Sequence, residues 1–241
     1  MRKYGSIILH ENYLNNCLSE VASKVSITPK NVSDQRKLSK QKYSFSELSS
    51  SEQLMIWDYI WNNSPDPWTR MQSIVYCESQ FKEKNFLFDS WEIIKRWQSQ
   101  VNSWGDCDAL SKIYTKILEL IPDKVLKQLE QWNKSSNLWD RRQSIVSLLY
   151  FSRTKKVILP YETIIQFIHK LLNDKEYYVQ KAVGWSLKEL YNVYPRETLR
   201  YLDNNIKKIS AIAFTPATEK LKKIDKQRLK KIRKIKAANG A

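Results

Sequence analysis

One segment recurs along the chain, and its recurrence constrains the fold more than any other feature. Two copies are closely alike: residues 68–75 read WTRMQSIV, and residues 139–146 read WDRRQSIV. Two looser copies are WGDCDALS, which begins at Trp104, and YVQKAVGW, which begins at Tyr178. A period of about 35–45 residues without strand signals is typical of stacked helix pairs.

The residues between the copies favour helices joined by short turns. The chain has only four glycines and seven prolines, the residues that irregular segments use most. Residues that cap helices precede three of the four repeat heads, namely NNSPDP at 62–67, SSN at 135–137 and ND at 173–174. We therefore predict an all-α fold, an α-solenoid of HEAT-like antiparallel helix pairs with a concave basic groove.

The repeat pattern divides the chain into three parts. Residues 51–218 are predicted to form the HEAT-like repeat domain. Residues 1–50 precede it, with an N-terminal capping helix over residues 6–25 and a Ser- and Lys-rich, partly ordered connection over residues 26–50.

Residues 219–241 form a basic tail. Ten Lys and Arg lie between Lys220 and Lys236, against one acidic residue, Asp225. Such a tail can be a solvated segment, a nucleic-acid arm or a membrane-surface helix. The lack of acidic partners along it favours an accessory electrostatic arm.

The charge balance indicates the kind of partner. The chain has 41 Lys and Arg against 25 Asp and Glu, a net charge of +16. This surplus favours a polyanion, with nucleic acid first and an anionic membrane second, and a highly charged soluble surface is the alternative. Nine Trp add side chains that can stack on bases, although most Trp in any fold are packing residues.

Residues that bind metals or form disulfides are few. Cys17, Cys77 and Cys107 are widely spaced without a CxxC pair, and His10 and His169 are the only histidines. This argues against a disulfide framework and a zinc site and fits a reducing cytoplasm. The sequence has no signal peptide and no run of 18 apolar residues. We therefore expect a cytoplasmic protein without a metal or cofactor.

Four side chains are candidates for a site. In a curved solenoid the second helices of successive repeats place Trp104, Asp108, Arg142 and Trp185 on one surface. Trp104 and Asp108 are four residues apart and share a helix face, whereas Asp106 points elsewhere. For any single repeat head, packing in the core is the more frequent role of a Trp.

Departures from the repeat's own consensus strengthen two of these candidates. Asp108 stands where Gln72 and Gln143 stand in the similar copies, and Arg142 stands where the first copy has Met71. A residue that breaks a structural repeat is a better functional candidate than one that keeps it.

Arg141 follows the repeat instead, because Arg70 occupies the same place in the first copy. Its recurrence favours a structural role, such as an ion pair or a cap between neighbouring repeats. Like Arg142, it can also serve a phosphate through its planar guanidinium.

Three motifs in order resemble the DNA alkylation repair proteins of the AlkD type, which are HEAT-repeat DNA glycosylases. Trp104-Gly-Asp-Cys-Asp108 resembles the family's Trp-x-x-x-Asp, and Asn137-Leu-Trp-Asp-Arg-Arg142 resembles its Trp-x-x-Arg segment. Tyr177-Tyr-Val-Gln-Lys-Ala-Val-Gly-Trp-Ser-Leu-Lys-Glu189 resembles its most distinctive run, Gln-Lys-Ala-x-Gly-Trp-x-Leu-Arg/Lys-Glu. The resemblance covers about residues 50–205.

The resemblance implies hydrolysis of the N-glycosidic bond of positively charged N3- and N7-alkylated purines in double-stranded DNA, as part of base excision repair. The family acts without a metal and without moving the base into a pocket. Asp108 is then the catalytic carboxylate, and Trp104 and Trp185 flank the lesion. Arg142, Arg141 and Lys181 are the expected phosphate contacts, in a monomer that needs no protein partner and no membrane.

Two other functions stay open. The first is a non-catalytic HEAT-repeat binder of damaged or branched DNA, whose affinity falls steeply with salt. The second is a protein-interaction solenoid whose basic surface meets an acidic partner.

Overall fold

Helices account for nearly all of the regular secondary structure in the computed structural model, which describes residues 2–4 and 7–238 and the side chains of residues 9–234. The chain divides into two compact units between Val101 and Asn102. The all-α class predicted from the sequence is confirmed, with thirteen α-helices in the described residues.

The first unit begins with a short antiparallel hairpin and continues in five helices. Its elements are β1 (Arg2–Tyr4), β2 (Ile7–Leu9), α1 (Glu11–Ser26), α2 (Val32–Lys37), α3 (Ser50–Asn63), α4 (Pro67–Ser79) and α5 (Lys84–Ile94), with 3-10 turns at Leu38–Lys40 and Lys95–Gln100.

The second unit contains eight helices. They are α6 (Trp104–Leu118), α7 (Pro122–Asn133), α8 (Leu138–Leu149), α9 (Tyr161–Lys170), α10 (Tyr177–Val193), α11 (Pro195–Asn205), α12 (Ala211–Ala217) and α13 (Lys223–Ala238), with a 3-10 turn at Ser152–Thr154. Helix α8 packs between α6 and α10, and α10 packs between α8 and α12, while α7, α9 and α11 pack against this row. The second helices of the repeats therefore form one layer and the first helices another.

The repeat heads open helices, as predicted. Trp68, Trp104, Trp139 and Tyr178 lie in the first turns of α4, α6, α8 and α10. Asp66 and Asn137 provide the expected side-chain caps for α4 and α8, and Ser103 caps α6.

The cap predicted at residues 173–174 is wrong. Helix α10 begins at Tyr177, and its N-cap, Glu176, makes no side-chain cap. The carboxylate of Asp174 accepts the backbone N–H of Glu176 and pairs with Arg141 instead. Asp174 therefore forms a long-range ion pair instead of the N-cap that the local sequence pattern predicts.

Residues 1–50 differ from their prediction in two ways. The helix expected over residues 6–25 begins at Glu11, because Ile7–Leu9 pairs with β1, as suits a segment rich in β-branched residues. The connection expected over residues 26–50 contains α2, and its Gln35 and Phe45 side chains are buried. Phe45 stacks beside Tyr43 in the core of the first unit, so burial of apolar surface orders the segment.

Gly184 allows α12 to approach α10 closely. A Cβ at this position would lie 2.3 Å from the carbonyl oxygen of Ala213 and 2.5 Å from Cγ of Pro216. Neither distance is possible without a backbone shift, so the glycine sets the spacing of the two helices.

Within the described residues, no helix is both long enough and apolar enough to cross a lipid bilayer.

We predict that Gly184→Ala destabilises the protein, although Ala is the better helix former. The added methyl group must displace α12 at a cost of about 1–3 kcal/mol, which outweighs the roughly 1 kcal/mol that Ala gains over Gly inside a helix. Urea unfolding followed by circular dichroism should show a lower midpoint.

Gly105→Ala is the matched control, because its Cβ would meet Ser103 Oγ at an ordinary 3.7 Å. Its midpoint should be unchanged or raised. If both variants unfold at the same urea concentration, the close contact between α10 and α12 does not limit substitution.

Candidate nucleic-acid interface

A groove of about 620 Å³ lies on the second unit. It combines aromatic and basic side chains from α6, α8, α10, α12 and α13 with one carboxylate. The lining residues are Trp104, Arg142, Tyr177, Tyr178, Lys181, Trp185, Thr215, Pro216, Glu219 and Lys226. The groove therefore brings together three of the four residues predicted to share a surface, Trp104, Arg142 and Trp185.

Arg142 links the groove to the fourth candidate, Asp108. Its Nη2 donates to Asp108 Oδ1 at 2.6 Å, and its Nη1 donates to the carbonyl oxygen of Tyr178 at 3.0 Å. The arginine is only 7% exposed, so this charge-assisted bond forms in a poorly hydrated setting, where it is stronger than on an open surface. The pair joins α6, α8 and α10 across three consecutive repeats.

Asp108 itself is not among the groove-lining residues. Its side chain is 31% exposed and lies one turn beyond Trp104 on α6. The carboxylate therefore keeps access to solvent, and Arg142 holds it in place beside the groove.

The repeat register explains why Asp108 is unusual. Gln72 and Gln143 occupy the same place in two other second helices, and both are buried. Gln72 Nε2 donates to the carbonyl oxygen of Gln35, and Gln143 Nε2 donates to Ser111 Oγ. A carboxylate has no N–H to donate, so Asp108 accepts from Arg142 instead.

The aromatic side chains of the site differ in exposure. Trp104 is 57% exposed, whereas Trp185 is half-buried and contacts Tyr150, with 5.9 Å between ring centroids. Tyr178 packs on Trp139 at 5.1 Å. Trp104 and Trp185 thus offer indole surface to the groove, while Trp139 mainly supports Tyr178.

Cationic groups surround this aromatic surface. Lys181 is exposed, and its Nζ lies 5.5 Å from the ring centroid of Tyr177. Glu219 is the one acidic lining residue, and Lys188 pairs with it at 3.6 Å. The charges of the groove favour an anionic ligand.

Arg141, predicted as a phosphate contact, is occupied elsewhere. Its Nε donates to Asp174 Oδ2 at 2.6 Å, and its Nη1 donates to the carbonyl oxygens of Ser135 and Ser136. The side chain does not line the groove. These contacts favour the structural role that its recurrence in the repeat suggested.

Asp106 and Cys107 lie beside the site without lining it. The backbone N–H of Asp106 donates to Ser103 Oγ, the N-cap of α6. Burial raises the pKa of the Cys107 thiol to about 12, which keeps it protonated and unreactive at neutral pH. Among the side chains of residues 9–234, no group of three His, Cys, Asp or Glu could hold a metal ion.

Sequence reasoning missed several lining residues. Tyr177 and Tyr178 lie two and three residues before Gln180, where the distinctive Gln-Lys-Ala run begins, so their position was a usable signal. Thr215, Pro216 and Lys226 carried no local signal, because the close approach of α12 and the docking of α13 bring them to the groove.

Comparisons with known proteins give one family match and two similar folds. A family model described as DNA alkylation repair enzyme matches residues 30–221. The fold is similar to that of AlkD2 from Streptococcus mutans, with a TM-score of 0.58, 19% identity and coverage of 91% of this chain and 97% of that one. It is also similar to a protein from Enterococcus faecalis described as a predicted DNA alkylation repair enzyme, with a TM-score of 0.66, 17% identity and coverage of 86% and 96%. A search of curated proteins finds no match.

We predict that Arg141→Gln lowers the stability of the fold and leaves DNA binding unchanged. The variant strands the buried carboxylate of Asp174, which costs on the order of 3 kcal/mol. Arg196→Gln, at an exposed arginine in the first turn of α11, is the matched control with the same change of charge.

Urea unfolding and the salt dependence of duplex DNA binding should be measured for both variants. The prediction is contradicted if Arg141→Gln is as stable as Arg196→Gln and the salt dependence of its DNA binding falls by about 0.9, the value of one phosphate contact. That result would indicate that Arg141 binds a DNA phosphate, as the sequence suggests.

Proposed function

Since the chain belongs to the DNA alkylation repair enzyme family, we propose that it excises positively charged N3- or N7-alkylated purines from duplex DNA by hydrolysing the N-glycosidic bond. The observation that carries the proposal is the Asp108–Arg142 ion pair, which lies at a basic groove lined by the exposed indole of Trp104. Such a site offers a fixed negative charge, stacking surface and phosphate contacts within one unit.

The chemistry of the lesion determines what the site must supply. Alkylation at N3 or N7 gives the purine a positive charge, so the base is already a good leaving group and needs no general acid or metal to activate it. Cleavage leaves an oxocarbenium-like sugar, and the main catalytic task is to stabilise this cation and direct a water molecule to it.

Asp108 is the proposed catalytic carboxylate. Arg142 fixes its orientation through the 2.6 Å bond, so little reorganisation is needed when the cationic sugar develops. The same arginine lines the groove and offsets the carboxylate charge next to DNA phosphates. Arg142 thereby serves as a phosphate contact and as a support for the catalytic group.

Trp104 and Trp185 are the proposed walls around the lesion nucleotide. The faces of indole rings attract cations, and each contact is worth about 0.5–2 kcal/mol. This attraction favours the charged lesion over an undamaged purine of similar shape. Lys181 is a further phosphate contact at the groove, and the lesion base stays outside any closed pocket.

A non-catalytic binder of damaged or branched DNA is the second candidate. It is favoured by the position of Asp108, which is engaged by Arg142 and is not a lining residue of the groove. On this hypothesis the ion pair only holds α6 against α8, and the groove recognises DNA through phosphates. The two candidates differ in whether a free base is released.

We predict that Asp108→Asn reduces base release from methylated duplex DNA by about 100-fold or more, because it removes the charge that stabilises the developing cation. DNA affinity should be retained, since an amide oxygen still accepts from Arg142 and one negative charge is lost. Release of 7-methylguanine and 3-methyladenine can be followed by mass spectrometry.

Asp106→Asn provides the control, because Asp106 lies on the same turn of α6, is also a carboxylate and does not line the groove. It should release bases at the parent rate. A parent protein that binds duplex DNA but releases no purine would support the non-catalytic candidate, and an active Asp108→Asn variant would exclude the carboxylate mechanism.

We also predict that Trp104→Ala lowers the rate of base release by roughly 2- to 30-fold, the loss expected for one cation–π contact. Stability should change little, because the indole is 57% exposed. Trp104→Phe keeps an aromatic face and should lose less.

Phe88→Ala is the control for loss of an exposed aromatic ring, since Phe88 lies on α5 and outside the groove. Release rates should be measured with enzyme in excess, so that product dissociation does not limit them. Equal rates of base release for Trp104→Ala and Phe88→Ala would show that Trp104 does not contribute to base release.

A further inference from the structure

Helix α13 extends beyond the part of the chain that the family model matches, which ends at residue 221. The sequence suggests a basic arm here, yet the helix is docked on the second unit. Leu229 is completely buried, and the guanidinium of Arg233 lies 4.7 Å from the ring centroid of Phe214 and donates to the carbonyl oxygens of Ile206 and Ile209. Its position is therefore fixed by packing and hydrogen bonds.

The arginines and lysines of α13 have different surroundings. Arg233 is held by carbonyl groups, and Arg228 pairs with Asp203 and Asp225. Planar guanidinium groups suit such forked contacts. The arginines thus attach the helix, and the acidic residues near it are already engaged.

Lys226, Lys230 and Lys234 form a row at four-residue spacing along one side of α13. Lys226 lines the groove, and Lys230 and Lys234 are exposed. Among the described side chains, none of the three forms an ion pair. Like charges at this spacing repel one another, so the row costs stability unless a polyanion binds to it.

The row also has a suitable length for a nucleic-acid backbone. Eight helical residues span about 12 Å, which is the axial rise of three to four nucleotides in one strand of duplex DNA. Because the row starts at a groove-lining residue, a strand lying in the groove passes along it.

We propose that α13 is one edge of the DNA groove and that Lys226, Lys230 and Lys234 bind phosphates within three to four nucleotides of the strand lying in it. The proposal rests on the proposed function, since it takes duplex DNA as the ligand of the groove. It adds a phosphate-binding element outside the residues that the family model matches. The contacts are independent of base sequence, as point charges on phosphates carry no sequence information.

An anionic membrane fits the structure of α13 less well than DNA does. A membrane-surface helix inserts a continuous apolar face between lipid headgroups. Here Leu229 is buried against the unit, and the nearby groove offers aromatic surface for bases.

The test is the salt dependence of binding to an undamaged duplex, measured by fluorescence anisotropy between about 50 and 200 mM salt. The full-length triple variant Lys226→Gln/Lys230→Gln/Lys234→Gln should lose close to three units of slope, at about 0.9 per phosphate contact. The control triple Lys127→Gln/Lys134→Gln/Lys170→Gln removes the same charge from exposed lysines on the α7 and α9 side and should keep the parent slope. Without DNA, the control triple should unfold at the parent temperature, and the α13 triple should unfold at the same or a slightly higher temperature because the repulsion along the row is removed.

Equal slopes for the two triples would overturn the proposal. It would also be overturned if only the α13 triple lost binding to vesicles rich in phosphatidylserine while its DNA slope stayed at the parent value. Base release from methylated DNA is measured in parallel to separate the two proposals. If the parent releases no base but the two triples differ in slope, the role of α13 is supported and the glycosylase activity is excluded. If base release depends on Asp108 but the slopes are equal, only the role of α13 is excluded.

Discussion

Two buried side-chain amides at one register of the second helices connect these helices to the preceding part of the stack. Gln72 donates to the carbonyl oxygen of Gln35, and Gln143 donates to Ser111 Oγ. A buried amide that is left without a partner costs about as much as a lost hydrogen bond. The two amides therefore favour one register of α4 against α2 and of α8 against α6.

The candidate site arises from a change at this same register. Asp108 is one methylene shorter than Gln and carries only acceptors, so it cannot repeat the bonds that the amides make. Arg142, one repeat later, supplies the donor and brings a second charge to the groove. The position that holds a packing amide in two other second helices therefore holds one partner of a charged pair in α6. Both partners lie on helices, which suits a site whose groups need a fixed geometry.

The parts predicted from the sequence are those with local or periodic signals. The repeat heads, the cap at Asn137 and the common surface of Trp104, Arg142 and Trp185 follow from spacing alone. The beginning of α10 does not, because Asp174 forms a long-range ion pair instead of a cap. The order in residues 26–50 was missed because burial there depends on packing against α3, as in the contacts of Tyr43 and Phe45 with Trp57. Likewise, α12 and α13 reach the groove through tertiary packing that no local pattern records.

The arginines and lysines of α13 differ in their contacts. Arg228 pairs with Asp203, and Arg233 donates to backbone carbonyl oxygens, whereas Lys230 and Lys234 are exposed. Lysine ammonium groups remain strongly hydrated and bind phosphates as point charges, which suits contact with DNA of any sequence. Under the proposed function, a repair enzyme needs this sequence-independent affinity to examine DNA wherever damage occurs. Damaged and undamaged bases are then distinguished by the positive charge of the lesion, which Asp108 and the indole rings attract. This charge depends on alkylation and not on base sequence.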